Sequence, residues 1–527
     1  MPSYHAVALL CKHLQALSLS LSLSLFCWRA SMMKSSSTPS SISLLSMVLI
    51  LLLIATNTTT AASGATNVSA NGVIRVKNKF AGRERSLDAL KAHDSRRQLR
   101  FLGGVDLPLG GSGRPDAVGL YFAKIGIGTP SNNYYVQVDT GSDIIWVNCI
   151  QCSDCPKKGS LGIELTLYNL EDSLTGKLVT CDEDFCSQVN GGPISGCTAN
   201  MSCPYNEMYE DGSSTAGYLV QDVVQYNSVS GDLETTSANG SIIFGCGAGQ
   251  SENLVSSEEA LDGVLGFGKS NSSMISQLAS SGKVKKMFAH CLDSVNGGGI
   301  FAIGHVVHPE VIRTPLIPNQ PHYSVNMTAV EVGGELLNLP TNLFEVGNNK
   351  GTIIDSGTTL AYLPEVVYEP LVKKIISQQS DLKMHTVDNQ YTCFEYSESV
   401  DDGFPNVTFH FENSLSLDVR PHEYLFLFGG LWCIGWQNSG MQSRNIKDMA
   451  LLGDLVLSNK LVIYDLENQV IGWAAYNCSA SIKVKDEQTG AVHLVGSHYI
   501  SSTCRLNARR AAVIFLLLTN LLYSLAY

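Results

Sequence analysis

The sequence is poor in charged residues, and basic residues are in the minority. Only 16% of the 527 residues are charged, and the formal net charge is −12. A protein that binds nucleic acid needs a basic face or stripe, so this charge balance argues against nucleic acid as a partner. Hydrophobic residues make up 44% of the chain, which excludes a disordered protein. The length suggests two or three domains.

Several catalytic motifs are also missing. The sequence has no HExxH zinc motif and no G-x-S-x-G nucleophile elbow, and no P-loop or dinucleotide fingerprint stands in a helical context. His305 and His308 form an H-x-x-H pair, which we interpret as part of a loop. We therefore expect no metal and no cofactor.

Apolar runs near the N-terminus are too short for a membrane-spanning helix, which needs about 20 residues. The strongest run covers residues 43–55, with Met32 or Met33 as possible start sites ahead of it. Small residues at 61–63 fit cleavage by signal peptidase. We therefore predict a signal peptide region at 1–63, with a membrane anchor as the alternative.

The C-terminus also ends in a short apolar run, of about 17 residues. Small residues precede it, and no charged residue follows it. This pattern predicts a GPI-attachment signal at 503–527, removed after attachment at Ser501 or Ser502. A transmembrane helix is the rival interpretation, although Arg509 and Arg510 would then lie on the lumenal side, against the positive-inside tendency.

Two segments between these termini and the globular region have distinctive compositions. Residues 64–115 are rich in Arg and Lys and then in glycine, in contrast to the acidic remainder. We predict a propeptide that could cover an acidic cleft, or a solvated linker, and a flexible stretch from Gly103 to Gly113. Residues 481–502 are polar and are predicted to form a stalk.

Cysteine is abundant, with fifteen residues in the chain. Twelve of them lie between Cys149 and Cys478, an even number that suits six disulfides in an oxidising compartment. The C-x-x-C spacing of Cys152 and Cys155 could also suggest zinc or redox chemistry, but disulfides are favoured. The spacing leaves the pairing open. The twelve are Cys149, Cys152, Cys155, Cys181, Cys186, Cys197, Cys203, Cys246, Cys291, Cys393, Cys433 and Cys478.

The globular region also contains six N-x-S/T sequons, which are compatible with a secreted glycoprotein. Such sequons arise easily by chance, so we expect several to be unused. They begin at Asn200, Asn239, Asn271, Asn326, Asn406 and Asn477.

Short alternating or apolar runs separated by turn residues dominate the chain from Gly119 onwards, which predicts a mostly β protein. Helices are predicted only at Ser273–Ser280, after a capping serine, and at Glu365–Ser380, where apolar residues have helical spacing. The strand pattern occurs twice, and each copy includes an apolar run ending in glycine. Internal duplication accounts for this repetition.

Each half contains one Asp-hydroxyl-Gly motif in an apolar frame. Asp139 lies in VQVDTGSDIIWV, and Asp355 lies about two hundred residues later in TIIDSGTTL. Two carboxylates held a few ångströms apart cannot both ionise cheaply, so they share a proton, and one can act as base while the other acts as acid. Such a pair can hydrolyse a peptide bond without a metal or a covalent nucleophile.

Five motifs then occur in one order: VDTGSDIIWV, MYEDGSSTAG, LDGVLGFG, IIDSGTTLAYLP and VIYDLENQVIGWA. Together they resemble pepsin-type aspartic proteases, and more closely the plant nepenthesin-like and nucellin-like, atypical GPI-anchored branch. The resemblance covers Gly119 to Tyr476. It implies an all-β, bilobal fold with two pseudo-symmetric lobes, at 116–315 and 316–480, and a few short helices.

The resemblance also implies a function. It is that of an aspartic endopeptidase with an acidic pH optimum, a polypeptide substrate and no cofactor. We expect the protein to be a monomer, tethered through a GPI anchor at the extracellular face of the plasma membrane. Asp139 and Asp355 would be the catalytic pair. By resemblance, three pairs of residues support them. Thr140 and Ser356 would lock the two loops together, and Gly141 and Gly357 allow close backbone approach. Ser142 and Thr358 would orient the carboxylates.

Tyr209 resembles the flap tyrosine that closes over a substrate, and Trp146 resembles the residue beneath it. Glu210 stands where the family usually has glycine, which adds a charge near the cleft mouth and puts the subsite preference in doubt. The alternative function is a catalytically silent binding or inhibitor-type protein on the same fold. Such relatives typically lose an Asp or the flap tyrosine, and both Asp residues and the tyrosine are present here.

Overall fold

Short β-strands form most of the structure, a computed structural model that describes residues 103–500 except 117, 160, 256–259, 341–350, 380, 389–390 and 442–447. The strands of the first part of the chain are β1 (Val105–Asp106), β2 (Leu109–Ser112), β3 (Leu120–Ile127), β4 (Asn132–Asp139), β5 (Trp146–Asn148), β6 (Lys177–Leu178), β7 (Pro204–Met208), β8 (Ser214–Gly231), β9 (Glu234–Ser251), β10 (Gly263–Gly266), β11 (Met287–Leu292), β12 (Gly299–Ile303), β13 (His305–Val306) and β14 (Arg313–Pro315).

The second part of the chain contributes a similar series of strands. They are β15 (Ser324–Val325), β16 (Met327–Val332), β17 (Glu335–Leu336), β18 (Thr352–Ile354), β19 (Ala361–Leu363), β20 (Met384–Val387), β21 (Tyr391–Phe394), β22 (Val407–Phe411), β23 (Ser416–Val419), β24 (Leu425–Phe428), β25 (Leu431–Ile434), β26 (Trp436–Asn438), β27 (Ala450–Leu452), β28 (Lys460–Asp465), β29 (Val470–Ala475), β30 (Ser481–Lys485) and β31 (Val492–Gly496).

Helices are few and short in the described part of the chain. The two predicted helices are confirmed: Ser273 caps the first, its Oγ accepting from the Ser276 N–H at 3.4 Å, and the second ends at Ile376, earlier than expected. The helices are α1 (Asp184–Val189), α2 (Met274–Ser280), α3 (Glu365–Ile376), α4 (Val400–Gly403), α5 (Pro421–Tyr424) and α6 (Asp454–Leu457). No described helix has the length and apolar content that crossing a membrane requires.

One large sheet joins the two halves of the chain into a bilobal, pepsin-like fold. Its strands run in the order β14-β29-β28-β11-β12-β1-β8-β9-β5-β10-β4-β3-β2, with β6 and β7 paired to β8. Because β11 of the first lobe pairs with β28 of the second, both lobes contribute strands to this sheet. The second lobe adds the sheet β15-β18-β27-β19-β26 and two four-stranded sheets.

The two lobes repeat one arrangement of four strands around each Asp motif. In the first lobe β10 runs parallel to β4 and antiparallel to β5, which runs parallel to β9. In the second lobe β27 runs parallel to β18 and antiparallel to β19, which runs parallel to β26. The internal duplication predicted from the sequence is thus present in the strand pairing.

A cluster of aromatic rings is buried between the lobes. Phe288 stacks on Tyr464 with ring centroids 4.4 Å apart, and Phe267 lies 4.7 Å from Phe301. The Tyr323 hydroxyl donates to the Phe267 carbonyl oxygen at 2.6 Å. Since Phe267 comes from the first lobe and Tyr323 and Tyr464 from the second, burial of these rings stabilises the packing of one lobe on the other.

Six disulfides connect the twelve cysteines of the globular region. Cys152 bonds to Cys155, so these two thiols form a disulfide and do not bind zinc. The other five pairs are Cys149–Cys246, Cys181–Cys197, Cys186–Cys203, Cys291–Cys478 and Cys393–Cys433.

The start of the fold differs from the sequence prediction, which assigned residues 64–115 to a propeptide or linker. Strand β1 lies between β8 and β12 at the centre of the large sheet, and β2 pairs with β3. Leu107 and Leu109 are fully buried between them. Residues 103–115 therefore belong to the folded body, because their apolar side chains fill the core despite the flanking glycines.

The end of the described chain also differs, since residues 481–502 were predicted to form a polar stalk. Residues 481–496 instead form the β30–β31 hairpin, which pairs with β13, so His305 lies on a strand and not in a loop. Ile482 and Val484 are buried on one face of this hairpin. The chain then continues to Ile500, whose N–H donates to the Leu109 carbonyl oxygen at 2.8 Å.

Replacing Leu107 should therefore destabilise the protein. We expect Leu107→Ala to lower the free energy of unfolding by about 2–5 kcal/mol, because it leaves a cavity in the core. Leu174→Ala is the matched control, since Leu174 is 87% exposed and should change stability little. Chemical denaturation of both variants measures the difference, and equal stabilities would mean that residues 103–115 are a linker after all.

Candidate active site

Two carboxylates stand at equivalent ends of two buried strands. Asp139 is the last residue of β4, and Asp355 directly follows β18; each is 7% exposed. The parallel neighbour of each strand fixes the backbone there. The Phe267 N–H donates to the Asp139 carbonyl oxygen at 2.7 Å, and the Asp355 N–H donates to the Leu452 carbonyl oxygen at 3.0 Å.

Hydrogen bonds from its own loop hold the Asp139 carboxylate. Its Oδ1 accepts from the Gly141 N–H at 2.8 Å and from the Ser142 N–H at 3.2 Å, and its Oδ2 accepts from Ser142 Oγ. Asp355 repeats the pattern, with Oδ1 accepting from the Gly357 N–H at 2.8 Å and Oδ2 from Thr358 Oγ1 at 2.7 Å. Each carboxylate is therefore fixed in orientation by a glycine amide and a hydroxyl.

Gly141 and Gly357 each face the carboxylate of the opposite lobe. A Cβ on Gly141 would lie 2.6 Å from Asp355 Cγ, and a Cβ on Gly357 would lie 2.6 Å from Asp139 Cγ. No side chain fits at such distances, so only glycine allows the two loops to meet. This mutual approach brings Asp139 and Asp355 together as one pair.

One hydrogen bond joins the Asp139 loop to the Asp355 loop, and the described residues do not form its symmetric counterpart. The Ser356 N–H donates to Thr140 Oγ1 at 2.8 Å. The Ser356 hydroxyl is buried and finds no hydrogen-bond partner among the residues that the structure describes. The Thr140 side chain thus makes the cross-lobe bond, whereas Ser356 contributes through its backbone.

Burial and mutual repulsion raise the pKa values of the pair. Burial, followed by the charge of Asp355, raises the pKa of Asp139 to about 7, and the hydrogen bonds from Ser142 and Gly141 oppose this rise. Burial likewise raises the pKa of Asp355. Because the two groups interact strongly, they titrate as a unit and retain one proton at acid pH.

Tyr209 lies at the tip of a hairpin formed by β7 and the start of β8. Its hydroxyl accepts a hydrogen bond from Trp146 Nε1 at 2.7 Å. Trp146 itself is only 3% exposed, whereas Glu210 beside the tyrosine is exposed. Glu207, on the same hairpin, is half-buried, and burial with the charges of Asp143 and Asp139 raises its pKa to about 7.

Three further residues contact or influence the pair, and the motifs alone did not identify them. Gln137 donates to the Gly357 carbonyl oxygen at 3.1 Å, and His322 Nδ1 lies 2.9 Å from the Gly141 carbonyl oxygen, so each bridges the lobes. Asp454, at the start of α6, is buried, and burial with the charges of Asp355 and Asp139 raises its pKa well above the ordinary value. For Gln137, the available signal in the sequence was its position two residues before Asp139 on the same strand.

The segment Gly263–Ser270 has the G-x₄-G-K-S spacing of a phosphate-binding loop, yet the structure excludes that role. Its first residues form β10, and the N–H groups of Phe267 and Gly268 donate to the carbonyl oxygens of Asp139 and Ser142. The Lys269 ammonium donates to the Gln320 carbonyl oxygen at 2.9 Å. A phosphate loop needs free N–H groups leading directly into a helix. Here the amides support the first Asp loop.

The histidine pair His305 and His308 does not converge on one point. Each pairs with a different carboxylate, His305 with Glu487 and His308 with Glu310. Within the described ranges, no group of three or more His, Cys, Asp or Glu side chains is arranged to hold a metal ion.

A cavity of about 410 Å³ lies beside the pair and the flap. Trp146, Gln137 and Thr359 line it near the two Asp loops, and Asp211 lines it from the flap. The cavity continues towards the β10 strand and the disulfide-rich segment. It is large enough to receive a long side chain of a bound peptide.

Comparison with known proteins shows to which family this chain belongs. The family model described as Xylanase inhibitor N-terminal matches residues 121–305, and Xylanase inhibitor C-terminal matches residues 322–475. Aspartic proteinase 36 of Arabidopsis thaliana is 50% identical over 436 residues, which are 82% of this chain and 90% of the relative. The chain belongs to the plant pepsin-like aspartic proteases. It is therefore a protease of the hydrolase class.

Other relatives of this plant aspartic protease agree with the assignment. Aspartic proteinase 39 of Arabidopsis thaliana is 48% identical over 83% of this chain and 91% of its own length. Aspartic proteinase nepenthesin-2 of Nepenthes gracilis is more distant, at 27% identity over 69% of this chain and 79% of its own length.

The solved structures show the shared fold. The crystal structure of edgp covers 71% of this chain and 96% of its own, with a TM-score of 0.56 and 19% identity. The crystal structure of Basic 7S globulin from soybean gives a TM-score of 0.54 at 22% identity, with coverage of 71% of this chain and 96% of its own.

The raised pKa values predict where protease activity is lost with pH. Since the pair must keep one proton, kcat/KM should fall as pH rises through about 7, the raised pKa of Asp139, and not near the ordinary aspartate value of about 3.9. In the native protein the hydrogen bond from Ser142 lowers the pKa of Asp139, so Ser142→Ala should raise that pKa and move the fall to higher pH. A pH profile of peptide cleavage tests both statements, and activity that is unchanged up to about pH 9 would contradict them.

Proposed function

We propose that the protein is an aspartic endopeptidase in which Asp139 and Asp355 together activate a water molecule. The observation that carries the proposal is the equivalent position of the two carboxylates, each at the end of a buried strand and each facing the glycine of the opposite loop. Because both carboxylates are buried, the pair that shares one proton has a lower free energy than the pair with two negative charges. General acid/base hydrolysis requires this singly protonated state.

The chemistry follows from one proton held between two groups. The ionised carboxylate removes a proton from water while the protonated one donates to the carbonyl oxygen of the peptide, so a neutral tetrahedral diol forms. A proton then passes to the leaving nitrogen, the C–N bond breaks, and the products are a carboxylic acid and an amine. Because the pair acts as a unit, neither Asp139 nor Asp355 is assigned a fixed role.

The other residues of the two Asp motifs would orient this pair. Ser142 and Thr358 hold the outer oxygens of the carboxylates, and Thr140 ties the loops together. We infer that Tyr209 closes over a bound peptide and excludes water, while Trp146 holds its hydroxyl. These contacts support catalysis by positioning the two carboxylates and the flap tyrosine.

The binding-protein alternative has less support. Both carboxylates and the flap tyrosine are present and hydrogen-bonded in this chain. Although the matching family model is named after xylanase inhibitors, relatives at 50% and 48% identity are named as aspartic proteinases. The enzyme is therefore the better interpretation.

We further propose that the protein is secreted as a glycoprotein and held at the cell surface by a GPI anchor, as a monomer. The six disulfides fit an oxidising compartment. Five of the sequon asparagines are exposed, but Asn326 is half-buried and its amide donates to Glu412 at 2.8 Å, so we expect it to stay unmodified. The signal peptide region at 1–63, the basic segment from residue 64 to residue 102, and the attachment site at Ser501 or Ser502 lie outside the described residues.

Neutralising either carboxylate should abolish proteolysis. Asp139→Asn and Asp355→Asn keep the shape of each side chain but remove the titrating group, and we expect cleavage of an unfolded protein at acid pH to fall by at least about 10³-fold. Asp172→Asn, on an exposed turn, serves as the control for a lost charge and should retain full activity. Secretion of all three variants checks folding. Unchanged cleavage by either active-site variant would refute the mechanism.

The anchor makes a separate prediction. Treatment of expressing cells with a phosphatidylinositol-specific phospholipase should release the protein into the medium, because the lipid is its only attachment to the membrane. A variant ending at residue 500 should be secreted directly and serves as the comparison. Retention on treated cells that do release a known GPI-anchored protein would favour a transmembrane helix.

A further inference from the structure

We propose that His322 is a positioning residue for the catalytic pair, and that it acts on Asp139 through the peptide group that joins Gly141 to Ser142. The inference rests on the proposed function, because it assigns a further role in the same reaction. It depends on a chain of hydrogen bonds that begins in the second lobe and ends on the carboxylate of the first.

The imidazole of His322 donates to the first Asp loop. Its Nδ1 lies 2.9 Å from the Gly141 carbonyl oxygen. Because a carbonyl oxygen can only accept a hydrogen bond, Nδ1 must carry a hydrogen and donate it. His322 is half-buried, so the bond is partly shielded from water. A side chain of the second lobe therefore holds the backbone of the first Asp loop.

The peptide group that accepts this bond also donates to Asp139. The Gly141 carbonyl and the Ser142 N–H belong to one planar peptide group. The Ser142 N–H donates to Asp139 Oδ1 at 3.2 Å, whereas the Gly141 N–H donates at 2.8 Å. A hydrogen bond accepted by a peptide carbonyl polarises the group and makes its N–H a stronger donor. His322 therefore strengthens the longer of these two bonds without touching Asp139.

The segment that carries His322 is fixed to both lobes. The carbonyl oxygen of Tyr323 accepts from the Ile354 N–H at 3.1 Å, directly before Asp355. The Tyr323 hydroxyl donates at 2.6 Å to the carbonyl oxygen of Phe267, which supports the first Asp loop. The imidazole is thus held at a defined place relative to both carboxylates, as a positioning residue must be.

The second Asp loop has a related contact without this connection. Gln137 Nε2 donates to the Gly357 carbonyl oxygen at 3.1 Å. Within its own loop, the Asp355 carboxylate accepts from the Gly357 N–H and from Thr358 Oγ1. In the described structure, the Thr358 N–H does not donate to it. Gln137 therefore ties the loops together, whereas only His322 is linked through a peptide group to a catalytic carboxylate.

Several titratable groups surround this hydrogen-bond chain and must stay constant in a test. On the other side of the imidazole is Asp143, whose pKa is raised by burial, while the Ser270 N–H and the charge of His322 oppose the rise. Two uncharged variants of His322 have the same electrostatic effect on all these groups, so a difference between them reports the hydrogen bond alone. The groups near Asp139 are Asp355, Asp454, Glu207 and Tyr209, and Lys269 lies near Asp143.

The test compares His322→Leu with His322→Asn, whose side chains have nearly the same shape. The asparagine amide can donate from the position of Nδ1, and leucine cannot. We expect His322→Leu to lower kcat for peptide cleavage by about tenfold, the loss of one ordinary hydrogen bond, and to change KM less than about twofold. The fall of kcat/KM with pH should move up by about 0.3–0.5 pH unit, because a weaker Ser142 donor lets the pKa of Asp139 rise. His322→Asn should recover most of kcat and the native pH profile.

His410→Leu is the matched control, since His410 is a half-buried histidine of the second lobe that pairs with Glu331. It should keep the native kcat and pH profile. The inference is overturned if His322→Leu keeps the native kcat, if its kcat falls while the pH profile stays unchanged, or if His322→Asn is as impaired as His322→Leu.

Thermal unfolding checks that each variant folds. If His322→Leu does not fold, His322→Gln replaces it, because the glutamine amide stands one bond farther from the backbone than Nδ1 and should give the same loss. A His322→Gln variant with native kcat and pH profile would then overturn the inference. Failure of the proposed function looks different, because then the unmodified protein cleaves no peptide, or cleavage persists in Asp139→Asn.

Discussion

Two buried carboxylates that must share one proton impose the main constraint on this structure. Asp139 and Asp355 repel each other when both are ionised, and burial strengthens that repulsion. The fold opposes it by fixing each carboxylate with hydrogen bonds from its own loop. Glycine at positions 141 and 357 then permits the approach that a side chain would block. Every other part of the site holds this arrangement in place.

The lobes cooperate in holding it, because the contacts that support one Asp loop come from elsewhere in the chain. Strand β10 supports the first loop and β27 the second, each through a parallel pairing that repeats between the lobes. Across the interface, Thr140 and Gln137 of the first lobe bond to the second, and His322 of the second lies against the first. A displacement of one lobe would therefore disturb both carboxylates.

The sequence predicted those parts of the protein that short motifs encode. The Asp loops, the flap tyrosine, the duplicated strands and helices α2 and α3 all have strong local patterns. The buried strand β1 was missed because Val105–Asp106 is short and its neighbours are glycines. The hairpin of residues 481–496 was missed because its outer face is polar, although Ile482 and Val484 are buried. The cavity was not predictable either, since folding alone brings Leu120, Asp211 and Leu261 together.

If the protein is anchored as proposed, the closing segment of the chain determines how freely the enzyme could move on a membrane. Ile500 is hydrogen-bonded to Leu109, beside the strands that begin the fold. An anchor at Ser501 or Ser502 would begin one or two residues later, and a chain that short spans at most about 7 Å. The polypeptide itself would then add almost no reach between the catalytic body and the anchor. The distance of the cleft from the bilayer would therefore be set by the anchor and by the size of the folded body, without a stalk of chain to extend it.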